Sequence, residues 1–146
     1  DAKVIQTHRL PHTVLGSVSS FDVILRQTFS QSVSPQHIGQ EALSQWAKAV
    51  QLAMNFRDSQ SRNNGQFYDI LYTSLSRDPI DTIRKMYAHF GLTLTNIAEQ
   101  NMQEFLKNNP KHKHGEHRYS LSHYGISETE ISSRFKAYIN RYKLDA

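Results

Sequence analysis

Cysteine is absent from these 146 residues, which excludes disulfides and thiolate-bound metals and leaves the redox compartment unread. Long apolar runs are missing as well. No stretch approaches the roughly 20 residues of a bilayer-spanning helix, and the opening DAKVIQTHRL holds no signal-peptide core. The six glycines stand singly, so no Gly-rich strand-to-helix turn with a following Lys-Ser/Thr is present. Internal repeats and low-complexity tracts are lacking. Positive charge is in modest excess, +4 from 17 Lys and Arg against 13 Asp and Glu. Such a surface suits an anionic partner, but the charge is too small and too dispersed for nucleic acid.

What remains is an ordinary soluble composition, 38% hydrophobic and 21% charged, long enough for one domain that buries roughly 70% of its unfolded surface. KVIQT reads as a short strand whose apolar pair, Val4 and Ile5, favours a buried position. The chain starts at Asp1, without methionine, and enters this strand at once; the expectation is a fragment whose sheet continues upstream. Pro11 fits the first turn of a helix with Val14, Val18, Phe21 and Leu25 as its apolar stripe. A second helix is expected over 35–58, burying Leu43, Trp46, Val50 and Ala53. SQSRNNGQ at 59–66 is a turn, and QFYDILYTSL a second strand.

Asp78 then caps a helix with Pro79 at its first position, Ile80, Ile83, Tyr87 and Phe90 on one face, and Gly91 at its left-handed end. A helix over 95–108 carries Ala98, Met102, Phe105 and Leu106. Ser127 and Glu130 form a capping box for a last helix with Ile131, Phe135, Tyr138 and Tyr142 inside. The basic, histidine-rich stretch 108–125 has no periodicity of its own, a mark of functional or disordered loops. Strands followed by helices indicate α/β architecture, although two strands make a poor sheet.

Arg9 stands where β-strand ends gather ligands in open α/β sheets. Its guanidinium fork matches phosphate oxygens, and Ser17, expected near the start of the following helix, adds a hydroxyl donor. On spacing alone a surface arginine with helix-capping serines is the better reading.

THRLPHTVLGSVSS, LYTSLSRDPIDTIRKMYAHFGL and KHKHGEHRYSLSHYGIS together, in this order, resemble the C-terminal half of the sulfotransferase family that uses 3′-phosphoadenylyl sulfate. The resemblance runs from about residue 3 to 143. It implies a P-loop-like α/β fold with a central parallel sheet, of which residues 1–146 form the mostly helical C-terminal part of one domain. It further implies that Arg9 and Ser17 grip the nucleotide's 3′-phosphate, that Tyr72 approaches the adenine, and that Lys113 and Gly115 return to the phosphate. The chain departs from relatives at Leu10, where HRDP is frequent, and at Thr73-Ser74, where an acidic residue is common. Neither change removes a phosphate donor.

The implied activity is transfer of a sulfuryl group to a hydroxyl or amine acceptor, leaving 3′,5′-phosphoadenosine, without a metal. The family's 5′-phosphosulfate loop and general base precede the KVIQT strand, so no catalytic residue is expected in this chain, and isolated it should be inactive. The acceptor is unread. A soluble chain is expected, with the cytoplasm preferred although luminal relatives exist.

Two rivals accompany this reading. His112, His114, His117 and His123 invite a zinc site, but Lys111, Lys113 and Arg118 surround them with positive charge and Glu116 is the one adjacent carboxylate. A basic anion-facing loop fits better. The second rival is a non-catalytic helical interaction module derived from the same fold; an open half-sheet should self-associate, a module should not. Trp46 is read as core or acceptor-pocket wall, Tyr119, Tyr124, Tyr138 and Tyr142 as core-edge residues with wet hydroxyls, and Asp78 and Asp81 as helix-start acids.

Overall fold

Residues 2–59, 65–110 and 119–144 are described by the structure, a computed structural model. Along the chain run β1 (Val4–His8), α1 (Pro11–Gln27), α2 (Pro35–Ser59), β2 (Phe67–Leu71), α3 (Tyr72–Arg77), α4 (Pro79–His89) and α5 (Asn96–Asn108). A 3-10 helix (Leu121–Tyr124), α6 (Glu128–Arg134) and α7 (Lys136–Tyr142) follow. Two compact units divide these elements: Asp1–His8 with Arg62–His117, and Arg9–Ser61 with Arg118–Ala146.

In the first unit β1 and β2 pair in parallel, in register from Val4↔Phe67 to His8↔Leu71. The strands are apolar, yet Val4 and Ile5 are 36% and 48% exposed, against the expected burial. A parallel sheet is stable when both faces are covered, and the described elements of this unit leave those side chains open. The second strand is also shorter than its composition suggests. QFYDILYTSL remains extended only to Leu71; from Tyr72 the chain coils into α3. Tyr, Thr and Leu suit either state, so tertiary context decides.

α4 follows its sequence signals. Asp78 Oδ1 accepts from the Asp81 N–H at 3.0 Å, Pro79 opens the helix, and Gly91 ends it at φ +63. Thr95 caps α5 by accepting from the Ala98 N–H. The Arg84 guanidinium forks onto both carboxylate oxygens of Glu99, joining α4 to α5. Lys3 Nζ donates to the Phe90 carbonyl at 2.9 Å and lies over that ring, tying the start of β1 to the end of α4.

The second unit is a helical core. Leu15 and Val23 of α1 meet α2, which buries Ile38, Ala42, Leu43 and Met54. Ile131, Phe135, Tyr138 and Leu144 complete the interior. Each such side chain contributes roughly 1.5–3 kcal/mol by leaving water. The α1 stripe is therefore not the expected one: Phe21 and Leu25 are 60% and 46% exposed, and the buried line is Leu15, Ser19 and Val23. α1 has apolar residues on two faces, and small residues decide which one can lie close to a neighbour. Gly16 admits Tyr119, whose Cβ would sit 2.8 Å from any Cβ placed there.

Trp46 likewise lies outward, 43% exposed, while Ala42 and Leu43 face in. Val50 and Ala53, expected inside, are half-buried, and Met54 takes the interior place. The last helix is broken at Phe135 into α6 and α7, although the expected inward residues Ile131, Phe135 and Tyr138 hold. The Ser127–Glu130 capping box is present. Tyr124 and Tyr138 are buried, and Tyr119 is exposed.

Candidate functional site

β1 ends at His8, and the next residue is Arg9, exposed at the entry to α1. Leu10 is extended (φ −55, ψ 127) and gives the helix no side-chain cap. Its carbonyl instead accepts the Thr13 and Val14 N–H groups at 3.1 and 3.3 Å, and the Thr13 hydroxyl at 2.8 Å. The first turn contains no acidic residue. Partial positive charge at a helix start, a guanidinium immediately before it and a first turn without acidic residues together favour an anion.

Ser17 is exposed on α1, but not at its start as expected. It is the seventh helical residue, roughly 9 Å along the axis from Pro11 at 1.5 Å per residue. The neighbouring Gly16 is the point where Tyr119 closes on α1. Arg9 and Ser17 belong to the second unit.

Tyr72 belongs to the first unit. As the first residue of α3 it is half-buried and lines an apolar groove of about 740 Å3 with Leu75, Pro79, Ile83, Met102 and Phe105. The groove is formed by α3, α4 and α5, which explains the exposure of Phe105 (66%) and Leu106 (38%), both expected inside. Lys113 and Gly115 lie outside the described residues, as do His112, His114 and His117 of the proposed metal cluster. Among the described residues no group of three or more His, Asp or Glu side chains could hold a metal ion. No described helix is long and apolar enough to cross a membrane.

Around the groove the Arg84 hydrogen bond holds the Glu99 carboxyl below its usual range, and Glu99 in turn raises Arg84. One feature escaped sequence reasoning. His8, 1% exposed, places Nε2 2.8 Å from Asp69 Oδ1 across the sheet. The available signal was a lone histidine in the strand VIQTH and a lone carboxylate in the strand FYDIL.

A sequence model described as "Sulfotransferase family" matches residues 1–96. The chain belongs to the sulfotransferase family. Its fold is similar to that of the sulfotransferase STF9 from Mycobacterium avium, with a TM-score of 0.79 and 23% identity over 99% of this chain and 37% of that one. It is also similar to the sulfotransferase STF1 from Mycobacterium tuberculosis H37Rv, with a TM-score of 0.70 and 32% identity over 94% of this chain and 34% of that one. This sulfotransferase chain thus spans about a third of either relative's length. No curated protein matches it in sequence.

Proposed function

We propose that the protein transfers a sulfuryl group from 3′-phosphoadenylyl sulfate to a hydroxyl or amine acceptor, and that this chain supplies the 3′-phosphate and adenine side of the donor site. The observation that carries the reading is Arg9 at the carboxyl end of β1, leading into an uncapped helix start without acidic residues. Arg9 and the Ser17 hydroxyl hold the 3′-phosphate. Tyr72, which lines the apolar groove, takes the adenine. Lys113 and Gly115 return to the phosphate.

The donor supplies an activated sulfuryl group for in-line transfer, and binding energy at the distant 3′-phosphate fixes its orientation. None of this chain's residues takes the acceptor's proton. In this scheme the strands pair within a central parallel sheet of P-loop type, and the exposed Val4 and Ile5 are the places where further strands and helices cover it.

The test is binding of 3′,5′-phosphoadenosine to the complete protein by calorimetry. Arg9→Ala should weaken it by about tenfold or more, the loss expected of a charged hydrogen-bonded contact, and should raise KM for the donor more than it lowers kcat. Unchanged affinity removes Arg9 from the site. No binding by the wild-type protein would favour the non-catalytic interaction module instead.

A further inference from the structure

The last residue of β1 is a histidine, whereas buried parallel strands are rich in Val, Ile and Leu. His8 is 1% exposed, its ring wholly covered. Its Nε2 stands 2.8 Å from Asp69 Oδ1, and because the carboxylate can only accept, Nε2 donates. The bond is diagonal to the ladder: His8 is opposite Leu71, and Asp69 is opposite Gln6. Asp69 keeps 37% of its side chain open while the imidazole has none.

Holding the strands together does not require this bond. Backbone pairing already runs from Val4↔Phe67 to His8↔Leu71, and an aliphatic side chain would enter the same buried position without a polar group to satisfy. A hydrogen bond from a ring nitrogen to a fixed carboxylate instead specifies orientation. It sets the direction of the His8 side chain, hence the backbone at the residue bonded to Arg9. A ligand side chain as long as arginine delivers its fork accurately only when its Cα is fixed, which is the role of supporting hydrogen bonds around a binding site.

We propose that His8 and Asp69 form a positioning pair that fixes the end of β1 and thereby presents the Arg9 guanidinium to the nucleotide's 3′-phosphate. This rests on the reading of Arg9 as the phosphate ligand. The pair touches no phosphate oxygen itself; it acts through Arg9.

The test compares, in the complete protein, the Kd for 3′,5′-phosphoadenosine with the Kd for adenosine 5′-phosphate, which lacks the 3′-phosphate. Their ratio isolates the 3′-phosphate contact. Asp69→Ala should reduce the preference for the 3′-phosphorylated nucleotide by about tenfold, as expected when a ligand group is displaced by a fraction of an ångström, with adenosine 5′-phosphate bound as in wild type. Asp69→Asn, whose amide oxygen still accepts from Nε2, should restore the preference. A purely structural role would lower the melting temperature and weaken both nucleotides alike.

A folded Asp69→Ala protein with an unchanged ratio overturns the inference, as does an Asp69→Asn protein that loses as much as Asp69→Ala. If Asp69→Ala fails to fold, His8→Leu removes the same bond with apolar atoms in the buried site and is held to the same ratio. Arg9→Ala is the separating control. A ratio insensitive to Arg9→Ala defeats the phosphate reading itself; a ratio lost with Arg9 but indifferent to Asp69 defeats the positioning pair alone.

Discussion

Gly39→Ala puts the packing of the second unit to a quantitative test. Gly39 lies inside α2, where alanine would ordinarily be the better residue by about 1 kcal/mol. Here a Cβ would stand 2.0 Å from the Tyr124 carbonyl oxygen and 2.6 Å from the Tyr124 Cβ. Ordinary contact begins at 3.4 Å, so the 3-10 helix must withdraw by the difference from 2.0 Å, about 1.4 Å. The obstacle is backbone, which cannot rotate away as a side chain can. Withdrawal also breaks the hydrogen bond from Gln40 Nε2 to the Gly125 carbonyl, now 2.6 Å, and loosens Tyr124 and Ile126, 7% and 3% exposed.

Overpacking costs about 1–3 kcal/mol and the lost hydrogen bond about 1 kcal/mol. Against the helix gain, the net destabilisation is about 1–3 kcal/mol. At this chain length that corresponds to a melting temperature lower by about 2–12 °C. The assay is thermal unfolding followed by circular dichroism, with Gly65→Ala as control, since no heavy atom lies within 4 Å of a Cβ there. A Gly39→Ala protein that melts at or above the wild-type temperature would refute the close approach of the 3-10 helix to α2.

Two further outcomes are expected. Ser19 is fully buried with no hydrogen-bond partner for its Oγ among the described residues, so Ser19→Ala should stabilise by about 1 kcal/mol; a lower denaturant midpoint would contradict this. The Glu99 carboxyl is held below its usual value chiefly by the Arg84 hydrogen bond. The unfolded chain therefore binds more protons between the folded and ordinary glutamate values, and the pair's stabilisation is complete above that window and lost as pH falls through it. Glu99→Gln should flatten the acid limb of the melting curve and change neutral-pH melting little, because solvent screens an exposed pair; an unaltered acid limb would count against the pairing.

Local chemistry was legible wherever one residue or a short spacing governs the outcome. α2, α4 and α5 lie within a residue or two of their expected bounds. The Asp78 cap, Pro79 start, Gly91 end and the Ser127–Glu130 box are all as read, because capping depends on backbone groups three or four residues away. For the site, the sequence located Arg9 at a strand end before a proline-started helix. Ser17, expected near the helix start, falls instead in the second turn of α1, which begins at Pro11 as read.

By itself the sequence determined most element types, the caps and the family, through residues whose effects act within a turn of helix or a strand. Only the tertiary structure decided which face of a two-faced helix is buried. α1 turns Leu15 and Val23 inward and leaves Phe21 and Leu25 outside, because Gly16 permits close approach on one side and no periodicity encodes that neighbour. It also decided that the chain leaves β2 for a helix at Tyr72, where propensities are balanced. And it decided that His8 meets Asp69, 61 residues later. That pairing depends on strand register, which no local rule contains.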